Sequence, residues 1–268
     1  MIRGLYTSAS GMRAQEHRLD ALSNNLANVD LNGYKRDTSV QKAFPELLIH
    51  RFEDNGMYRF PLGSVDTAPV VGKLGTGVEY NESFTVFEQG SLKVTENTFD
   101  MALDSEGFFE VETPRGLRYT RNGSFWLGKE GILETKEGLP VMGDEGLIRL
   151  NPDHTTVVDK LGRVWQNADG EDAQLMGTIK VVNFPRDRFL QKQGGSLWQA
   201  TEHSGDAQSL QGTQRPSIHQ GFLEGSNVNP ITEMVNMIQV NRAYEANQKA
   251  VSAHDSMLNR LINQAGKY

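Results

Sequence analysis

There is no cysteine among the 268 residues. That excludes a disulfide, a thiol nucleophile and a Cys-type zinc site, and it is compatible with an oxidising compartment. No stretch approaches the 18 apolar residues of a membrane-spanning helix, so no membrane insertion is expected. The first residues, MIRGLYTSASGMRAQEHRL, lack the apolar core of a cleaved signal peptide, which by itself points to the cytoplasm. Basic charge is also short, with 27 Lys and Arg against 34 Asp and Glu, a net −7. The deficit lies in the middle. Residues 1–35 and 230–268 each carry four basic and three acidic side chains, which leaves −9 between them. An acidic middle argues against a nucleic-acid partner. Nearly neutral ends suit helices that must crowd together, since like charge opposes association.

Catalytic and ligand-binding patterns are missing too. His17, His50, His154, His203, His219 and His254 are scattered, with no HxxxH or HxH pair at ligand spacing, so no metal site is expected. G-x-S-x-G and the phosphate-binding G-x-x-x-x-G-K-[ST] are absent. Gly123-Ser124 reads as a turn. Asp100 and Asp104 could share acid–base work, but acids flanking a strand are expected to face water. Asp169-Gly170-Glu171-Asp172 lacks the full EF-hand pattern and reads as a solvated turn. Met234, Met237 and Met257 read as core packing. The residues give no catalytic group and no cofactor.

What is present is concentrated at the two ends. Pro230 sits where a first helical turn would begin, and the next glycine is Gly266. About 35 residues without a breaker would make a helix roughly 50 Å long. Met237, Val240, Tyr244, Asn247, Val251, His254, Leu258, Leu261 and Ala265 fall on one stripe at spacings of three and four. At the other end Leu5, Ser8, Met12, Gln15, Leu19, Leu22, Leu26 and Val29 do the same, within a first helix over residues 1–29. Gly33 comes next and can end it. Two such stripes can pair as a coiled-coil-like hairpin. They also fit two surface helices on one globular core. His254 and Asn247 either point to solvent at a loosely packed edge or set register between stacked subunits.

Between the ends, residues 38–78 are irregular. Phe44, Leu47, Leu48 and Phe52 suggest a short helical or extended piece, and Pro61, Gly63, Pro69, Gly72, Gly75 and Gly77 interrupt the stretch beyond it. From Glu79 to Phe184 short β-type runs alternate with turns every 8–12 residues, including a hairpin signal at Asn122-Gly123. That spacing predicts an antiparallel sandwich or barrel. Residues 185–229 are mixed, with Leu197-Trp198 and Phe222-Leu223 as anchors. Asn227 and Asn229 are candidate caps for the last helix.

Ser23-Asn24-Asn25-Leu26-Ala27-Asn28-Val29, followed by Asn32-Gly33-Tyr34-Lys35-Arg36, resembles the N-terminal signature of the bacterial flagellar rod and hook family. Gly221-Phe222-Leu223-Glu224-Gly225-Ser226-Asn227-Val228-Asn229, then Glu233-Met234-Val235-Asn236-Met237-Ile238 and Arg242-Ala243-Tyr244-Glu245-Ala246-Asn247, is similar to its C-terminal signature. The resemblance implies an α+β protein with paired terminal helices and an inserted, mostly antiparallel β domain. Its parts would be an inner-tube helix over 1–36, an extended connector over 37–78, a β domain over 79–184, a return connector over 185–229 and a second inner-tube helix over 230–268. It implies a structural subunit of the basal-body rod, not an enzyme. Its partners would be copies of itself in a helical tube, other rod and hook proteins, and the flagellar type III export apparatus. It would lie in the periplasm-spanning rod, exported without signal cleavage. The expected assembly interface is Leu5, Met12, Leu19, Leu22, Asn25, Leu26, Asn28, Val29, Asn227, Met237, Val240, Tyr244, Val251, Leu258 and Leu261. The middle is short for a hook protein, which favours the rod, distal or proximal. The competing expectation is a secreted adhesin or carbohydrate-binding module. It would need an exposed aromatic platform from Trp126, Trp165 and Trp198.

Overall fold

The computed structural model describes residues 2–51, 70–167, 173–210, 212 and 215–265. Phe52, Pro61, Gly63, Pro69, the Asp169-Gly170-Glu171-Asp172 turn and Gly266 lie outside them. The protein is α+β. A long helix stands at each end, α1 over Ile2–Ala27 and α2 over Pro230–Arg260. Every strand pair with a described register is antiparallel. The chain divides into two compact units. One holds Met1–Ser23, Thr38–Ser83 and Met234–Tyr268. The other holds Asn24–Asp37 and Phe84–Glu233.

The second unit is built on a six-stranded sheet. Its order is Gln191–Gly194, Leu197–Gln199, Gly116–Thr120, Phe108–Thr113, Val181–Asn183 and Gln208–Ser209. Successive strand residues point to opposite faces, and here both faces are covered. Phe109 and Val181, directly paired, enter a core with Leu133, Val141, Ile148, Val164 and Ile218. Phe108 and Val182, one step along, join Tyr119, Phe184, Leu190 and Trp198 on the other side. That second cluster is held edge to face, with Phe108 5.7 Å from Trp198 and Tyr119 4.8 Å from Phe184. Because both faces are buried, Phe108-Phe109-Glu110-Val111 does not alternate in burial.

Several sequence expectations change here. Asn122-Gly123 does not turn a hairpin: Gly116–Thr120 pairs with neighbours other than Phe125–Leu127. Gly123 is instead a crossing point. A side chain on it would meet the Met101 carbonyl, and the Met101 N–H donates to the Gly123 carbonyl at 2.9 Å. Asp100 does not face water. It is buried, within 3.4 Å of the Ser124 hydroxyl, whereas Asp104 is 59% exposed. The described part of residues 185–229 carries five strands, three of them in the six-stranded sheet, two at its Trp198 end and Gln208–Ser209 at the other. Trp198 and Leu223 are buried, as anchors should be.

The first unit holds most of both helices and two strand pairs. Leu47–His50 pairs with Val70–Leu74, so Leu47 and Leu48 are extended. Asp37–Ala43 pairs with Val78–Thr85. Of the expected core methionines only Met237 is half-buried; Met234 and Met257 are 51% and 57% exposed. An exposed helical Met contributes little packing, so the core reading fails for these two.

Candidate assembly surface and clasp

The residues that follow α1 and those that precede α2 meet inside the second unit. Gly33 makes the turn possible. It has φ +68, and a Cβ there would lie 2.5 Å from the Asn122 amide nitrogen, so no other residue fits. The Gly33 N–H donates to the Glu224 carbonyl at 2.7 Å. Two residues on, the fully buried Lys35 ammonium donates to Glu224 Oε1 and to the Glu88 carbonyl, both at 2.6 Å. Glu224 Oε1 also accepts from the Gly90 N–H at 2.9 Å, and Arg121 Nε stands 3.7 Å from Oε2. Arg121 is anchored through its own bond to the Ser105 carbonyl and lies over Phe108. Burial pushes Lys35 below its ordinary pKa, and Glu224 opposes that shift. Burial also lowers Arg121, again against Glu224. One carboxylate thus serves two cations at a buried place, an arrangement that depends on every partner being present.

Asparagines complete the clasp. The Asn25 amide mimics a strand: its Oδ1 accepts from the Asp37 N–H and its Nδ2 donates to the Asp37 carbonyl, each at 2.8 Å. Nδ2 also lies 3.4 Å from Glu233, the fourth residue of α2. Asn227 Oδ1 accepts from the Arg36 N–H at 2.8 Å, and its Nδ2 donates to the Val86 and Glu88 carbonyls. The helix cap is Asn229 alone, whose Oδ1 accepts from the Ile231 and Thr232 N–H groups ahead of Pro230 at the first helical position. Tyr34 donates to Asn24 Oδ1 at 2.8 Å and carries the Lys192 ammonium 4.5 Å over its ring. Its phenol is pushed up to about 12, first by burial and then by Asp37. Lys192 also donates to Asp37 Oδ2 and to the Lys35 carbonyl.

The sequence-predicted assembly residues divide between the units. Asn25, Leu26, Asn28, Val29 and Asn227 belong to the second, where Asn25 and Asn227 are committed to the clasp and Asn28 bonds back to Asn24. Leu5, Met12, Leu19, Leu22, Met237, Val240, Tyr244, Val251, Leu258 and Leu261 belong to the first. There Leu22 and Val240 are buried, Tyr244 and Leu261 are 40% and 50% exposed, and the other six are half-buried. Within the same unit the His254 ring lies against Gly4 and the Asn247 amide against Gly11. Sequence reasoning named Lys35, Glu224 and Glu233 only as members of the two signatures, without a role, and passed over Arg121, since a lone charged residue gives no sign of burial. It also passed over a second apolar face of α2, on which Ile231, Met234, Val235 and Ile238 are 48–73% exposed. Among the described residues no helix is long and apolar enough to cross a membrane. Trp198 is in the core, so the three tryptophans do not form an exposed platform.

Comparison with known proteins places these features. Residues 5–35 match the family described as flagella basal body rod protein, residues 102–166 the flagellar hook protein FlgE/F/G D1 domain, and residues 219–264 the flagellar basal body rod FlgEFG protein C-terminal region. The chain is 36% identical to the flagellar basal-body rod protein FlgG of Buchnera aphidicola subsp. Schizaphis graminum, over 97% of this chain and 99% of that protein. It is 33% identical to the flagellar hook-basal body complex protein FlhO of Bacillus subtilis over the full length of both. It is 31% identical to the FlgG of Borreliella burgdorferi, over 96% and 97%. The first matched segment ends at Lys35 and the last contains Glu224, so the clasp joins the two terminal family regions. With a structural role and a likeness that runs from end to end, this chain belongs to the flagellar basal-body rod protein family.

Proposed function

We propose that the chain polymerises into the axial rod, where α1 and α2 pair within each subunit and line an inner tube. Residues 1–36 and 230–268 form that tube, residues 79–184 the outer layer, and 37–78 and 185–229 the connections. The tube surrounds the export channel and carries motor torque to the hook. Other rod and hook proteins continue it at each end, and the subunit reaches it through the type III export apparatus, uncleaved, into the periplasm-spanning rod. The seating of His254 on Gly4 and of Asn247 on Gly11 supports the hairpin.

The observation that carries the proposal is the imbalance of the first unit. Among its described apolar residues only Ala14, Leu22 and Val240 are buried, while thirteen large ones, such as Tyr6, Leu48, Val71, Ile238 and Met257, are exposed. Surface of that kind marks a partner-binding face. Near-neutral helices let copies approach without repulsion. The test is electron microscopy of the purified chain at rising concentration. Ordered tubes with α1 and α2 innermost are expected. A chain that stays monomeric at all concentrations, alone and with rod-protein partners, would reject the reading.

A further inference from the structure

The two glycines of α1 that touch α2 are placed with a regularity that the stripes alone do not require. A Cβ on Gly4 would stand 2.6 Å from His254 Nε2, and one on Gly11 would stand 3.0 Å from Asn247 Nδ2. Seven residues up α1 correspond to seven residues down α2. Another seven bring Arg18 level with Val240, which is buried. Seven more reach Asn25 and Glu233, which are hydrogen-bonded within the other unit. His254 and Asn247 are the two polar residues of the α2 stripe. Each sits where α1 has no side chain.

We propose that Gly4 and Gly11 determine specificity in the helix pair. They admit His254 and Asn247 at one antiparallel register and exclude the registers one heptad away. This rests on the hairpin of the proposed function and adds what selects it. A slip of one heptad in one direction puts Asn247 against Arg18, where a long side chain fills the room the amide needs. It also takes Asn25 away from Glu233. A slip in the other direction sets Val240 over the Gly11 gap, with a void beside it. Voids and overpacking both work against a helix seam. A polar residue in a seam is known to fix register in this way, at some cost in stability. A tube built from many copies needs each subunit to present its outer helix face at the same height, so register inside the subunit sets the lattice.

The absence of cysteine makes the test clean, because any disulfide is the engineered one. In the full chain, Ser8→Cys with Ala250→Cys reports the native register, four residues along each helix from Gly4 and His254. Ser8→Cys with Ala243→Cys reports the slipped one. Both alanines and Ser8 are half-buried. Intrachain cross-linking is read by mobility on non-reducing gels. The native pair should close roughly tenfold faster than the slipped pair, in line with the coupling between contacting residues. Gly4→Ala with Gly11→Ala should abolish that preference, although alanine is the better helix former, so helix loss would not account for the change. Adding Asn247→Ala to Gly11→Ala should restore it by returning the room. If the native pair never closes within a chain, the hairpin itself falls. If it closes and the preference survives both alanines, the hairpin stands and the glycine inference is overturned.

Discussion

The two units of this protein use apolar residues in opposite ways. The second encloses them: of the 28 buried apolar residues among those described, all but Ala14, Leu22 and Val240 lie there. The first displays them along α2 and on the Leu47–His50 and Val70–Leu74 strands. The buried polar groups divide the same way. The second unit buries Lys35, Arg121, Glu224 and Asn25, and each is tied to a partner. The comparison separates what a subunit needs to exist alone from what it presents to others. A substitution in the second unit should therefore alter stability, and one on the exposed face of the first should alter association only.

The widest separation is expected at the clasp and the core. Glu224→Gln leaves Lys35 and Arg121 buried without their carboxylate and should cost about 3–5 kcal/mol. Lys35→Met should cost less, because Arg121 still faces Glu224. Denaturant unfolding of the full chain, followed by tryptophan fluorescence, checks the order. Equal losses would mean that Arg121 takes no part. Phe109→Ala, at a fully buried ring, should cost about 3–5 kcal/mol by cavity formation, with the unfolding slope against denaturant unchanged. A smaller loss of about 1–3 kcal/mol is expected for Asn25→Ala, which orphans the Asp37 N–H and carbonyl. Thermal melts would refute it if the variant matched the parent.

Tyr34 gives a subtler measure, through pH. Its folded pKa of about 12 lies above the ordinary 10.0. Its contribution to stability is therefore complete below about pH 10 and is lost as pH rises through 12. Between those limits the parent should lose melting temperature faster than Tyr34→Phe, and an absorbance titration should show one late phenol that the variant lacks. Parallel curves would contradict the burial assigned to this ring. The smallest effect on stability belongs to the first unit. Ile238→Glu, at a side chain 53% exposed, should shift the unfolding free energy by no more than about 0.5 kcal/mol while preventing tube formation. A destabilised monomer, or normal tubes, would break the contrast between the units.

What the sequence revealed was local. Asn32-Gly33 marked the end of the first helical segment, and Asn229-Pro230 the start of the last, because caps and turns are read from adjacent residues. The stripes were visible because helical spacing repeats every few residues. The clasp was not visible. Lys35 and Glu224 are 189 positions apart, and each sits among polar neighbours, so either alone looks like a surface charge. Asp100 misled for the same reason: its burial comes from a strand crossing at Gly123, a nonlocal event. Asn122-Gly123 has the composition of a tight turn, yet its glycine serves close approach of two backbones instead. The strand pairs in residues 37–85 were obscured by glycines and prolines between them.

The distance along the chain between Lys35 and Glu224 also sets an order in time. Ribosomes add about 5–20 residues per second, so the lysine is added roughly 10–40 s before its carboxylate partner. For most of that interval the six-stranded sheet is incomplete as well, since its last strand, Gln208–Ser209, is made late. Contacts of such separation bear a large loop-closure entropy and slow the search for the native state. A chain interrupted before residue 224 would hold a lysine without its carboxylate, and the last segment to arrive would be the one that shuts the fold.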